Sequence, residues 1–342
     1  MRITPQPAPR GIALMVVMIA IFVLAILVGA FAYAMKVETQ LAINAQNETA
    51  DVWLGRSGIE VARWTLAMGM NCPYTARTQK WAGGGGDDCD TNSPLADISL
   101  DGFQLGGRKI FIKITDLESK GNINTADQTL LQQALSLMGV EASDIPSISG
   151  AILDWIDSDD QTHIDGTESE YYEGLNPPYY AKNRPIDDLS ELLLVRGITQ
   201  DMYWGPASTN HPPAAFQQKD RFGRPVDVPA YPVGLVDLFT PLSSGRINVN
   251  TASAEVLQLI PGIDENNARI IVEQREQAPY RSLNEVPVPP PVMPQLQRYG
   301  TVRSRTFAVE VTAEGSHRKF YGVLGCNNPR DIQILSFYWK EM

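Results

Sequence analysis

An uninterrupted apolar run is the strongest feature of the hydrophobic pattern. Ile12 to Met35 covers 24 residues without one charged side chain, which at 1.5 Å per helical residue is enough to cross a hydrocarbon core of ~30 Å. Residues 1–11 before it are polar and carry Arg2 and Arg10 but no acid. Because positive residues stay on the cytoplasmic side, the pattern predicts one membrane span, with the residues after Lys36 on the far side.

The pattern after the apolar run remains that of a helix. No proline occurs between Lys36 and Met70, and Ile59, Ala62, Leu66 and Met70 fall on one helical face. A stem helix that is apolar at first and amphipathic later is therefore predicted over residues 36–70. Ser57 and Gly58 are expected to weaken this stem helix locally.

Two stretches of alternating apolar and polar residues predict β-hairpins. Apolar and polar residues alternate over 109–115, directly after a Gly106-Gly107 turn. They alternate again over 306–312, before a turn at Gly315-Ser316 that leads to residues 319–324. Neither hairpin has enough strands to be stable alone. The sequence therefore predicts one antiparallel sheet, built from both hairpins and packed on the stem helix, with about 180 residues inserted between them.

The predicted insert is mostly helical. Gly121–Ala126 and Arg246–Ala252 resemble each other, each a turn and a short extended piece that leads into a helix. Thr125 with Gln128 has the spacing of a capping box, and Thr251 is a second predicted N-cap. Further helices are predicted at residues 147–156 and 185–195. The predicted fold class is α+β: a pilin-like transmembrane and stem helix on a small antiparallel sheet, with a large, mostly helical domain inserted between strands.

Residues 248–275 have the pattern of a helix-hairpin-helix, with the turn Pro261-Gly262-Ile263 between two helices. In DNA-binding versions, backbone amides at the start of the second helix hold a phosphate. Here Asp264 and Glu265 stand at that point, and residues 246–298 carry five arginines against six acids. A packing unit is therefore favoured over nucleic-acid binding, and a membrane-anchored DNA receptor of a competence system is the alternative function.

Charge and motif content exclude several classes. The net charge of -11 repels phosphate backbones. Esterase, nucleotide-binding and zinc-protease motifs are absent from the sequence, and the three histidines, at positions 163, 211 and 317, are dispersed in loops. No enzyme is predicted. Of three cysteines, Cys72 and Cys89 flank a glycine-rich segment and are candidates for a disulfide in an oxidising compartment, whereas Cys326 is expected to be a buried small hydrophobe.

A dense acidic loop is the main candidate for chemistry. Residues 154–173 contain eight acids and no Lys or Arg. Counted from Asp157, the acids Asp159, Asp165 and Glu168 fall at positions three, nine and twelve of a calcium loop, but Thr162 stands where an EF-hand needs glycine. From the residues alone, an irregular calcium loop and a solvated acidic loop remain about equally supported.

The N-terminal run has three interpretations: a secretory signal peptide, a plain anchor and a type IV prepilin leader. Ala32-Tyr33-Ala34 offers a signal-peptidase site, but the apolar run exceeds the ~7 to 15 residues of a signal peptide. Arg10-Gly11 directly before the run fits a prepilin leader, cut after Gly11 so that the mature chain begins at Ile12. Prepilins usually have glutamate at the fifth mature position, to pair with a neighbouring subunit; Val16 here is typical of a subunit with no neighbour above it.

The leader, the Asp-Trp-Ile-Asp acidic region, Tyr171-Tyr172, Asn176-Pro177-Pro178-Tyr179 and Asn183-Arg184-Pro185 together resemble the general secretion pathway protein K family, the large minor pseudopilins of type II secretion. The resemblance spans nearly the whole chain. It implies a structural calcium site in the acidic loop, with candidate ligands Asp157, Asp159, Asp160, Asp165, Glu168 and Glu170.

The resemblance also implies a function, partners and a location. The expected function is to cap the pseudopilus tip and help initiate its assembly. The expected partners are minor pseudopilins I and J, the major pseudopilin, the prepilin peptidase and the inner membrane, with no nucleic acid. A single-pass inner-membrane protein with a cytoplasmic N-terminus, a methylated mature end and a periplasmic body is expected. The predicted segments are the leader 1–11, the transmembrane helix 12–35, the stem 36–70, the first sheet part 71–120, the helical insert 121–300 and the last strands 301–342.

Overall fold

The computed structural model describes residues 10–86, 89, 99–207, 218–219, 225–226 and 231–342; for residues 10–11, 218–219 and 225–226 it describes the backbone alone. The chain divides into two compact units, Met1–Arg56 and Ser57–Met342. Most of the predicted leader, residues 1–9, lies outside the described range. Arg10 and Gly11 already belong to a helix.

A single helix, α1, runs from Arg10 to Gly69. It contains no proline, and between residues 12 and 35 its side chains are all exposed and almost all apolar. Among the described residues, this helix is the one that is long and apolar enough to cross a membrane. The predicted stem ends one residue earlier than expected, at Gly69.

Five antiparallel strands form the main sheet, in the order β1 (Asp101–Leu105), β2 (Arg108–Asp116), β9 (Thr306–Ala313), β10 (Arg318–Asn328) and β11 (Asp331–Glu341). The two predicted hairpins meet through β2 and β9, where Ile112 pairs with Val311. Alternate residues of β9 are buried, as a one-sided sheet requires. The fold class predicted from the sequence is confirmed, although alternation did not identify β11, whose residues are mostly exposed.

The end of α1 packs on the buried face of this sheet. Ile59, Ala62 and Leu66 are buried. A Cβ atom on Gly58 would lie 2.5 Å from Val311 Cγ1, and one on Gly322 would lie 2.8 Å from Ile59 Cδ1. The glycines therefore let helix and sheet approach closely, and the helix continues through Ser57-Gly58 without the local weakening that the sequence suggested.

The insert lies between β2 and β9 and has its own apolar core. It is built from short helices joined by turns. Its helices are α2 (Gln128–Met138), α3 (Ile145–Ile156), α4 (Ser169–Glu173), α5 (Gln200–Trp204), α6 (Leu235–Leu238), α7 (Ala254–Leu257), α8 (Glu265–Gln277) and α9 (Met293–Tyr299). Its strand pairs are β3 (Gly121–Asn122) with β6 (Phe239–Thr240), β4 (Gln218–Lys219) with β5 (Pro225–Val226), and β7 (Ile247–Asn248) with β8 (Gly300–Thr301).

The two similar segments of the insert use their asparagines in the same way. The side-chain oxygens of Asn122 and Asn248 each accept the backbone N–H two residues later, at 2.9 Å. Asn124 pairs through its amide with the backbone of Ile186, and Asn250 pairs likewise with Tyr280. The repeat is therefore structural, since each copy ties a distant loop to a buried turn.

Two predicted N-caps are wrong. Helix α2 is capped by the carboxylate of Asp127, which accepts the N–H of Leu130, because Thr125 lies in a preceding 3-10 turn. Helix α7 is capped by Ser253 rather than by Thr251, whose hydroxyl donates to Asp116. The helix predicted over residues 185–195 is a 3-10 helix, Leu189–Leu194, which begins with a capping box of Asp188 and Glu191.

Buried carboxylates lie where the sheet joins the insert. The Asp116 carboxylate accepts the hydroxyl protons of Thr251 and Ser304, the latter at 2.6 Å. The Glu118 carboxylate accepts the backbone N–H groups of Ser244 and Thr306, both at 3.0 Å. Burial first, and then the neighbouring charge of Glu118, raises the pKa of Asp116 from 3.8 to about 7.

A disulfide joins Cys72 to Cys89 in the structure, with their Cα atoms 5.3 Å apart. It closes the glycine-rich segment that follows the stem helix, as the positions of the two cysteines in the sequence suggested. Cys326 is a free and buried thiol on β10, and burial raises its pKa to about 12. This thiol therefore stays protonated and packs as an apolar group.

Candidate metal centre

The acidic loop begins where α3 ends and finishes at the start of α4. Asp154 is the last acid within α3, and its side chain is fully buried. Its carboxylate accepts the backbone N–H of His163, at 2.9 Å, and that of Thr167. Gly166 lies against the same carboxylate so closely that a Cβ atom there would collide with it. One buried carboxylate thus folds the loop back onto the helix.

Four oxygen atoms in this region are buried and have no hydrogen-bond partner among the described residues. They are Asp157 Oδ1, both carboxylate oxygens of Glu168, and Asn183 Oδ1. Buried polar atoms are nearly always paired, because an unpaired one costs about 1–3 kcal/mol. Carboxylate and amide oxygens are the ligands that a hard cation such as calcium prefers. The donor set therefore fits a calcium ion.

The electrostatics of the loop also favour a cation. Burial, and then the charges of Asp154, Asp157, Asp160 and Asp159, raise the pKa of Glu168 to about 7. The pKa of Asp157 is raised as well, first by burial and then by Asp159. Both carboxylates are penalised for carrying a negative charge here. A divalent ion would remove that penalty and allow both to ionise.

Asn183 brings a second segment to the loop. Its backbone has a left-handed φ of 48°, a conformation that asparagine tolerates better than most residues. Its Nδ2 donates to the Asp160 carboxylate at 2.8 Å and to the Asp159 backbone carbonyl at 3.1 Å. The amide nitrogen is thereby satisfied while the amide oxygen is not. The side chain is held in the orientation that leaves an oxygen for a ligand.

The structure separates the six predicted ligands into two groups. Asp157, Asp159, Asp160 and Glu168 belong to the acidic cluster just described. All of Asp159, Asp160, Asp165 and Glu170 are exposed, but Asp165 and Glu170 are not among the four carboxylates that most strongly affect Glu168. Asp165 occupies the left-handed region, with φ of 63°, at an exposed turn, and Glu170 lies in the first turn of α4.

A nitrogen-containing set of ligands is also present. Asp154, Asp157 and His163 have ligand atoms within 4.8 Å of one another. However, the Asp154 oxygens already accept the backbone N–H groups of His163 and Thr167. The His163 ring nitrogen Nδ1 also lies 2.5 Å from Asp154 Oδ1. His163 is thus engaged by the buried acid, and the oxygen set fits an ion better. Of the other histidines, His317 lies in the turn before β10 and His211 lies outside the described residues.

Two residues of this site were not predicted from the sequence. Asn183 is 23 residues from Asp160, and no spacing rule connects them; its occurrence in the Asn-Arg-Pro motif was the available signal. Asp154 was counted only as one of eight acids, although its helical position next to the buried Trp155 marks it as inward-facing. Trp155 contacts Tyr172 and Tyr179 edge-on, with ring centroids 5.3 and 6.3 Å apart.

The second candidate site, the helix-hairpin-helix, has no vacant phosphate position. The carboxylate of Asp264 caps α8 by accepting the N–H of Asn267 at 2.7 Å, and Glu265 occupies the first turn. Val256, Leu257, Ala268 and Ile271 of the two helices are buried in the insert core. This geometry supports the interpretation of the motif as a packing unit.

Comparison with known proteins gives consistent matches. Two family models described as type II secretion system (T2SS), protein K match residues 112–204 and 247–309. Type II secretion system protein K of Klebsiella pneumoniae is 28% identical over 114 residues, covering 30% of this chain and 35% of the relative. That of Aeromonas hydrophila is 27% identical over 208 residues, covering 56% and 60%. The alignments thus span from about a third to three fifths of these curated relatives.

One solved structure has the same fold. It is described as the crystal structure of the GspK-GspI-GspJ complex from the enterotoxigenic Escherichia coli Type 2 Secretion System. The superposition has a TM-score of 0.64 and covers 87% of this chain and 99% of the other, at 17% sequence identity. The similarity therefore concerns the fold.

Proposed function

We propose that this chain, which belongs to the protein K family of type II secretion systems, is the minor pseudopilin that caps the pseudopilus tip and helps initiate its assembly. The assembled pseudopilus would serve the export of folded proteins from the periplasm. Protein K is a structural component of the secretion apparatus rather than an enzyme family. Its N-terminal apolar helix is consistent with a single-pass inner-membrane anchor.

The observation that carries the tip position is Val16 in the exposed apolar part of α1. A subunit within the fibre needs a carboxylate near the mature N-terminus to pair with the subunit above it. An unpaired carboxylate in lipid is costly, so a terminal subunit is better without one. The insert between β2 and β9 supports the same position, because so large a head would obstruct a further subunit.

We propose the following partners and topology. The prepilin peptidase cuts after Gly11, the new amino terminus at Ile12 is methylated, and residues beyond the membrane span lie in the periplasm. Minor pseudopilins I and J associate through their stem helices, and the major pseudopilin follows below. Nucleic acid is not a partner, since Asp264 holds the helix end where a phosphate would bind.

Calcium has a structural role in this proposal. Asp157, Glu168 and Asn183 would hold the ion through their unpartnered oxygens, with Asp159 and Asp160 contributing negative charge nearby. The ion would offset the repulsion among these carboxylates. The loop would then be braced between α3 and α4, and the ion would take no part in a reaction.

Labelled pseudopili test the tip position. An epitope added after Met342 should bind gold-labelled antibody at one end of each fibre, whereas the same epitope on the major pseudopilin should bind along its length. Regular labelling of this chain along the fibre would show that it is a shaft subunit.

Correct processing is tested by sequencing the mature N-terminus, which should be Ile12. The Gly11→Val variant should remain uncut, and normal cutting of this variant would contradict the prepilin leader.

A further inference from the structure

A polar cavity of about 550 Å³ opens where the stem, the insert and the sheet meet. Met70, the residue directly after α1, forms one wall, and Ser244 and Arg246 of the insert form another. The third wall is the segment 301–305, which leads from the insert to β9, together with Asn327 of β10. All these residues belong to the same compact unit of the chain.

Three arginines dominate the lining of this cavity: Arg246, Arg303 and Arg305. All three are exposed, and no acid is among the described residues that line the cavity. Arg303 donates to the backbone carbonyl of Met70 at 3.1 Å. Within the part of the chain that the structure describes, the side chains of Arg246 and Arg305 have neither a hydrogen-bond partner nor an ion-pair partner. In a chain of net charge -11, this is a concave surface of the opposite sign.

Two carboxylates behind the cavity wall are held by groups other than these arginines. Glu118 accepts the backbone N–H of Ser244, behind the cavity wall. Asp116 accepts the hydroxyl of Ser304. The Asp116 carboxylate is held by hydrogen bonds from Ser304 and Thr251 and by the Glu118 backbone N–H, and these lower its pKa. The guanidinium groups of the cavity are therefore available to an external anion.

We propose that this cavity binds an acidic peptide segment of a partner protein. Guanidinium groups form paired hydrogen bonds with carboxylates. The Thr301 hydroxyl already donates to the Arg303 carbonyl and the Asn327 amide to Asp331, so the arginines carry the recognition. Met70 and Val302 provide apolar contact for side-chain stems. The volume is in the range of sites for molecules much larger than a single phosphate ion. The proposal is independent of the tip-capping function, since it follows from the cavity alone.

The test measures binding of a fluorescein-labelled hexaglutamate peptide to the full-length chain in neutral detergent, by fluorescence polarisation. Arg246→Gln with Arg305→Gln is the informative double variant, because neither side chain has a partner among the described residues that its loss would disrupt. Arg281→Gln, which removes an equally exposed arginine outside the cavity, is the matched control. Loss of two charge-assisted contacts should weaken binding at least about tenfold, and the control should bind like the parent.

Three outcomes would overturn the inference. The double variant could bind hexaglutamate as tightly as the parent. The Arg281→Gln variant could lose as much affinity as the double variant, which would indicate nonspecific attraction. Inorganic phosphate could bind in an arginine-dependent way while hexaglutamate does not, which would make the cavity a small-anion site. A hexaglutamine peptide and a thermal melt of each variant control for charge and folding.

Discussion

Removal of calcium gives the sharpest test of the acidic loop. An ion that binds the folded chain alone stabilises it by RT ln(1 + [L]/Kd). With free calcium about a hundredfold above Kd, this amounts to about 2.7 kcal/mol. For a unit of about 150–250 residues, each kcal/mol shifts Tm by roughly 2–4 °C. Chelation should therefore lower the Tm of the insert by roughly 5–11 °C.

The Glu168→Gln variant should separate the ion from the loop. It removes a carboxylate whose oxygens are buried without partners among the described residues and whose pKa is raised to about 7 by burial and four neighbouring acids. In chelator the variant should be more stable than the parent, by about 1 kcal/mol after allowance for solvent screening. In calcium it should gain little further stability, because a ligand has been lost.

Glu170→Gln is the matched control. It makes the same chemical change two residues away, at a side chain that is exposed and outside the cluster. Its melting temperatures with calcium and with chelator should equal those of the parent. Thermal unfolding of the full-length chain in detergent, followed by near-ultraviolet circular dichroism with calcium, magnesium or EGTA, makes the comparison.

Two results would refute this reasoning. Equal melting temperatures of the parent in calcium and in EGTA would leave a solvated loop as the explanation of the acids. A loss of the calcium response in Glu170→Gln as large as that in Glu168→Gln would show that an exposed carboxylate is a ligand and that the buried oxygens do not define the site. Magnesium should stabilise less, because it keeps its waters and requires a tighter octahedral site.

The remaining predictions concern stability. Gly58→Ala should destabilise by about 1–3 kcal/mol through overlap with Val311, and Val311→Ala should relieve most of that cost in denaturant unfolding; an additive double variant would contradict the close contact. Since the pKa of Asp116 rises from 3.8 to about 7 on folding, the folded chain holds a proton that the unfolded chain has lost. Its contribution to the free energy of unfolding should therefore fall as pH rises from about 4 to about 7; an equal slope in Asp116→Asn would refute this. Replacing Cys72 and Cys89 by serine should lower the free energy of unfolding by about 2–4 kcal/mol. An unchanged melting temperature would show that the disulfide does not stabilise the fold.

Local patterns predicted the elements of this fold well. The apolar run and the spacing of Ile59, Ala62 and Leu66 predicted α1, because a helical face can be read from periodicity alone. Alternation predicted both hairpins for the same reason. Strand β11 was not predicted, because its exposed Ile334, Leu335 and Tyr338 give no alternation between a buried and a solvated face.

Helix ends and close packing were predicted less well. Thr125 and Asp127 are both acceptable caps within three residues, and the choice depends on the 3-10 turn that buries Ile123. Gly58 is unfavourable for a helix in isolation. Its use becomes evident only when β9 brings Val311 against it.

The sequence by itself determined that this chain carries one apolar helix, a split antiparallel sheet and a loop with eight acids and no lysine or arginine, since composition and periodicity are local properties. Only the tertiary structure decided which acids share that loop's interior. Folding turns Asp157 and Glu168 inward, brings Asn183 from a later segment and leaves Asp165 and Glu170 exposed. Spacing along a chain cannot distinguish these cases, because burial of an oxygen depends on segments that meet only in the folded state.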